Sequence, residues 1–126
     1  MPLPAVAATL FERLGGEPGL AQISDALIER SASDPATNRS FDRVDLARVK
    51  RQLASQLCEI SDGPCRYQGD TMRQVHGGLG ISEAEFFGMV QHLRAILDQR
   101  GVAQADKNAL LARLAPMKRD VVDPPK

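Results

Sequence analysis

Two histidines and two cysteines are the side chains of this 126-residue sequence that could ligate a metal or react. His76 sits in a short segment with Met72 four residues before it and Val75 beside it, closed off by Gly77-Gly78. Beyond it, Ser82-Glu83-Ala84-Glu85 has the S-x-x-E form of a capping box, which starts a helix carrying Phe86, Met89, Val90 and Leu93 on its apolar positions. A neutral imidazole on a short, tightly bounded element facing an apolar helix suits an axial ligand to a buried haem iron. By spacing alone, a lone histidine beside apolar residues is more often a satisfied core or surface histidine. With Cys58 and Cys65, the two histidines would supply the two sulfurs and two nitrogens of a zinc site, but no C-x-x-C or H-x-x-x-H spacing supports one. Two cysteines in a chain that shows no export signal are more often free thiols than a disulfide.

The elements that must position His76 are helices. Pro2 and Pro4 make residues 1–8 a loose lead-in to a short helix, about Thr9 to Leu14, ended by Gly15-Gly16. Pro18 fits the first turn of a second helix, in which Leu20, Ile23 and Leu27 repeat at helical spacing to about Ala32. Ser33-Asp34-Pro35 breaks it, and a short helical turn near Ala36 to Phe41 follows. Asp45 reads as the N-cap of a third helix with Leu46, Val49, Leu53, Leu57 and Ile60 on one stripe, ended by Asp62-Gly63-Pro64. The Ser82 helix continues to about Arg100, with Gly101 beyond it, and a last helix from Gln104 or Ala105 is expected to kink at Pro116. Asp123-Pro124-Pro125-Lys126 reads as a frayed tail. No stretch alternates with period two, so the class is all-α, and the chain divides into a lead-in at 1–8, one domain at 9–122 and a tail at 123–126.

Composition bounds the partners. Lys plus Arg and Asp plus Glu are both 16 and aromatic residues are 4%, so no net field or stacking platform favours a nucleic acid. No apolar run approaches the length of a membrane span, and the start lacks a basic region before a sustained apolar one. The expected compartment is the cytoplasm, with no nucleic-acid or membrane partner.

The run Tyr67-Gln68-Gly69, Met72, Gln74-Val75-His76, Gly80-Ile81, Phe86 and His92-Leu93 resembles the core signature of the group I truncated haemoglobins. With Leu14-Gly15-Gly16, Asp34 and Phe41, the resemblance covers residues 9 to 122. It implies two antiparallel helix pairs, two over two, sandwiching a haem. It makes His76 the proximal iron ligand and gives cofactor contacts to Phe41, Val49, Leu53, Tyr67, Met72, Ile81, Phe86, Met89 and Val90. Without it, the same side chains are core residues at helical spacing. His92 is expected to be packed or hydrogen-bonded rather than a ligand. Tyr67, with Arg66, Lys50 or Arg48, is the candidate group for the propionates. Where the family usually has two glycines, this chain has Asp62 and Gly63.

The distal side departs from the family. In an ungapped alignment from Gly16 to His76, the usual tyrosine position is Ile28 and the usual glutamine position is Leu53. A distal pocket of Ile28, Phe41, Val49, Gln52, Leu53 and Leu57 is therefore apolar but for one amide. A hydrogen bond to a ligand atom that gathers negative charge contributes roughly 1.5–3 kcal/mol, so its loss speeds dioxygen release about ten- to a hundredfold. Lys50, Gln52 and Gln56 are candidates for an internal sixth ligand, the lysine only if desolvation removes its proton. The expected function is reversible binding of O2, CO or NO at noncovalent haem b, by a monomer or weak dimer served by a reductase. Nitric oxide dioxygenase or weak peroxidase activity is disfavoured by Ile28 and Leu53. The competing reading is a haem-free or apolar-ligand-binding helical interaction module on the same scaffold.

Overall fold

The computed structural model describes residues 8–67 and 81–122. Among these the regular structure is entirely helical. The order is α1 (Leu10–Arg13), α2 (Gly16–Ser33), a 3-10 turn (Asn38–Phe41), α3 (Leu46–Ile60), α4 (Glu83–Gln99), α5 (Gln104–Leu114), a second 3-10 turn (Ala115–Met117) and α6 (Lys118–Val121).

Local chemistry sets the helix starts. Thr9 caps α1 by accepting from the Glu12 N–H, and Asp45 caps α3 by accepting from the Arg48 N–H. Ser82 and Glu85 form the complete reciprocal capping box at the head of α4. Gly15 and Gly16, with φ of 101° and 66°, turn the chain sharply enough for α1 and α2 to be almost contiguous. At Pro116 the last helix does more than kink. Proline offers no N–H for the helical ladder, and α5 gives way at Ala115 to a 3-10 turn before α6 resumes.

α2 is the element the others lean on. It packs against α3 on one side and α4 on another, and α1 bridges α2 and α5. The continuous core is built from Leu10 and Leu14 with Leu20, Ile23 and Leu27 of α2, Leu57 and Cys58 of α3, Leu93, Ile96 and Leu97 of α4, and Leu110 of α5. Each falls on one stripe of its helix, so burial of these faces is the main stabilising term. α3 and α4 make no comparable contact with each other. Each packs on α2 instead.

Polar clamps lock the outer contacts. Arg13 pairs with Asp106 at 2.7 Å, joining α1 to α5, and Lys107, with a side chain only 8% exposed, reaches Asp98 of α4 at 2.5 Å. Thr37, 1% exposed, donates its hydroxyl to the Ser31 carbonyl at 2.6 Å and fixes the exit from α2.

The cysteines correct the sequence expectation: Cys58 and Cys65 form a disulfide rather than two free thiols. The backbone brings them together. Asp62 takes the left-handed conformation with φ of 68°, and the Gly63 N–H donates to the Cys58 carbonyl at 2.8 Å, folding the chain back over the last turn of α3. A Cβ on Gly63 would stand 2.5 Å from Phe11 Cδ1 and 2.6 Å from Cys58 Sγ, so only glycine fits there. Asp62, short and polar, tolerates the left-handed conformation and holds Arg113 at 3.0 Å. This accounts for an aspartate where a glycine pair is usual. Zinc ligation by the two cysteines is ruled out in this state, since both sulfurs are in the bridge.

Candidate haem site

α3 and α4 carry large apolar residues that the described part of the chain only half covers. Phe41 of the 3-10 turn, Val49 and Leu53 of α3, and Phe86, Met89 and Val90 of α4 are all partly buried. Ile28 of α2 and Ile81, just before α4, are buried at 2% and 4% exposure yet stand outside the continuous core. These apolar residues thus come from several parts of the chain and, Leu53's core packing apart, are not members of the continuous core. A flat apolar macrocycle between α3 and α4 would complete their burial, which is the fit a haem requires.

His76 and Met72 lie outside the described residues. Of the other expected contacts, Tyr67 is half-buried where its backbone N–H bonds the Glu59 carboxylate. Leu53 is half-buried and also packs on the core, whereas Leu57, one turn later, is fully buried within the core itself. Gln52 is half-buried on α3, in register with Val49 and Gln56.

Two candidates for an internal iron ligand are engaged elsewhere. The Lys50 ammonium lies 2.5 Å from Glu29 and 2.9 Å from Asp25, across α2. Hydrogen bonds to Glu29 and then Asp25 push its pKa up, opposite to the deprotonation that ligation needs. The same pairing removes Lys50 from the cations available to propionates. The Gln56 amide faces Met117 Sδ at 3.2 Å. Arg48 and Arg66 are exposed.

His92 is hydrogen-bonded, as expected of it: Nε2 is 2.7 Å from Asp34 Oδ2, across the α2–α4 contact. The Ala36 N–H and the His92 ring hold the Asp34 carboxyl below its ordinary range, outweighing desolvation. The bond anchors the stretch that leads to Phe41. Glu85 does similar work at the head of α4. Burial pushes its carboxyl up, but the Ser82 N–H, the Arg39 guanidinium at 2.5 Å and the Ser82 hydroxyl together hold it low.

Several residues near this region carried no signal in the sequence. Ser24 and Ser31, both fully buried on α2, lie one turn either side of Ile28, and among the described residues their hydroxyls find no partner. Thr37 sets the position of the Phe41 turn, yet a lone threonine in a polar loop reads as solvated. Their periodicity with Ile28 is the one clue the sequence held for the serines.

A family model described as bacterial-like globin matches residues 9–123. A group 1 truncated hemoglobin from Nostoc sp. is 32% identical over 92% of this chain and 98% of its own length. Its counterpart from Nostoc commune is 30% identical over the same shares. The crystal structure of truncated hemoglobin from Tetrahymena pyriformis in the Fe(III) form, 23% identical, matches 93% of this chain and 100% of its own with a TM-score of 0.87. The 2/2 hemoglobin from Synechococcus sp., in the cyanomet state with covalently attached heme, gives 0.85 at 22% identity, covering 91% of this chain and 98% of its own. The two structures share the fold of this chain, the two-over-two helical arrangement that α2, α3, α4 and α5 form here. On the family match and the Nostoc identity together, the chain belongs to the bacterial-like globin family, among the group I truncated haemoglobins.

Proposed function

We propose that this protein binds haem b noncovalently between α3 and α4, with His76 as proximal ligand, and uses it to bind diatomic gases reversibly. Haem iron supplies an open coordination position for O2, CO or NO when bound. The observation that carries the reading is the set of half-buried apolar residues on α3 and α4, two helices that pack on α2 with little contact between them, in a chain of this family. Those residues exclude water from the ring and hold its plane. Among the described residues, Ile28 and Leu53 offer no N–H or O–H toward the ligand side, and Lys50 and Gln56 are turned to other partners. Gln52 is then the one amide of the proposed distal set.

Such a pocket discriminates by charge separation. CO and NO depend little on a donor, so they are held well, whereas O2 is released quickly. Nitric oxide dioxygenation needs retained O2 and a reductase, so gas-responsive binding is the better match to these side chains. Thioether attachment of the haem is disfavoured, since both cysteines are in the disulfide and no C-x-x-C-H is present. No described helix is long and apolar enough to cross a membrane.

Titrating the purified chain with ferric haem tests the reading. A saturable Soret change ending at one haem per chain supports it. A shallow, unsaturable change of the kind given by surface adsorption would leave only the scaffold without its cofactor.

A further inference from the structure

One groove among the described residues lies outside the region between α3 and α4. It runs along the other side of α3, against α2, has a volume of about 600 Å3, and holds the Cys58–Cys65 disulfide in its wall. Its floor is apolar, and its rim carries both signs of charge, Glu17 and Asp25 from α2 facing Lys50 and Arg51 from α3. None of the described haem-contact candidates lines it.

The two sulfurs differ in access. Cys58 is 2% exposed, behind the turn that Gly63 makes, whereas Cys65 is half-buried at the groove. Glu17 Oε1 stands 3.7 Å from Cys65 Sγ. In the disulfide that sulfur has no hydrogen to donate, so the contact is only van der Waals. On reduction it becomes an S–H donor beside a carboxylate, and the open form has a partner already in place.

We propose that Cys58–Cys65 is a reversible S-thiolation site, opened by a small anionic peptide thiol that enters the α2/α3 groove and attacks Cys65 Sγ. The incoming thiolate forms an S–S bond to Cys65, the Cys58–Cys65 bond breaks, and Cys58 leaves as a thiolate that takes up a proton from water. A second molecule of the same thiol then attacks the peptide's sulfur. It departs as the peptide disulfide and leaves Cys65 as a thiol facing Glu17, so two thiols are oxidised as one protein disulfide is reduced. A groove of this volume accommodates a tripeptide, and its mixed rim suits a molecule carrying carboxylates and one ammonium, with Arg51 placed to take a carboxylate. The site is independent of haem, so it and the gas-binding reading can fail separately.

The full chain is incubated with reduced glutathione as the probe, quenched with iodoacetamide and peptide-mapped. The expected result is glutathione on Cys65 with the alkyl group on Cys58. Because Cys58 can re-close the bridge, the Cys58→Ser variant treated with oxidised glutathione gives a second reading, expected as a stable adduct on Cys65. The Arg51→Glu variant should slow opening by glutathione severalfold relative to opening by uncharged dithiothreitol. The proposal is overturned if both cysteines alkylate without any thiol, if the adduct forms on Cys58, if the bridge opens only in denaturant, or if Arg51→Glu leaves the ratio of the two rates unchanged.

Discussion

In the proposed distal pocket, Ile28 is the residue expected to set the ligand preference. It is buried at 2% exposure on the α2 face that also carries Ser24 and Ser31, and its side chain carries no hydrogen-bond donor. Replacing it with tyrosine, Ile28→Tyr, is expected to slow O2 release by about ten- to a hundredfold, the effect of one hydrogen bond to a charged atom, with a smaller change for CO. Stopped-flow displacement of O2 by CO measures it, and equal effects on both gases would place residue 28 away from the ligand. Asp34 acts on stability instead. Its folded carboxyl is held below its ordinary value of 3.8, chiefly by the Ala36 N–H and then His92. Its contribution is therefore present above that value and is lost as pH falls through the lower folded one. Asp34→Asn should lower the urea midpoint at neutral pH, and the gap to the parent should close in acid below about pH 4. Both residues were only partly legible in the sequence. Ile28 could be placed by register along α2, whereas the Asp34–His92 bond joins residues far apart in the chain, and no local pattern encodes it.

At the scale of elements, helix starts were the most readable feature, because capping is chemistry between residues three apart. Asp45 and Ser82 cap α3 and α4 as their side chains require, and the Pro116 break follows from one missing N–H. Ser82→Ala removes the hydroxyl acceptor of the α4 box, and typical caps of this kind contribute about 1 kcal/mol. Thermal unfolding of the variant should show a loss of that order. Ser82→Asp, which restores an acceptor, should recover it. The disulfide was not legible, because cysteine spacing does not reveal a backbone reversal that depends on a left-handed Asp62 and an unsubstituted Gly63. Closing a loop of this length contributes about 2.5 kcal/mol through the entropy of the unfolded chain. Reduction under native conditions should accordingly lower the melting temperature by roughly 10 °C. Gly63→Ala drives a Cβ to 2.8 Å from the Cys58 carbonyl oxygen as well as into Phe11, so it should cost about 1–3 kcal/mol with the bridge intact. A melt unchanged from the parent would show that the turn relaxes around it.

The described helices gather on α2 around one core, and α3 and α4 carry half-buried apolar residues besides those they give to that core. That division explains why two adjacent α3 residues have different fates. Lys50 turns outward to Asp25 and Glu29, while Val49 remains on the half-buried apolar face. Helical periodicity predicts the stripe but not which neighbour covers each part of it, which is why Leu57 and Leu53 read alike in the sequence and separate only in the fold. The central claim, that His76 holds a haem between these faces, is tested most directly by the visible spectrum of the haem-reconstituted protein, ferric, ferrous and ferrous with CO, beside a His76→Ala variant. A sharp Soret band, a five-coordinate ferrous form and a CO complex are expected in the parent, with haem lost or loosened in the variant. Failure to bind haem, or identical spectra and equal haem retention without His76, would contradict it.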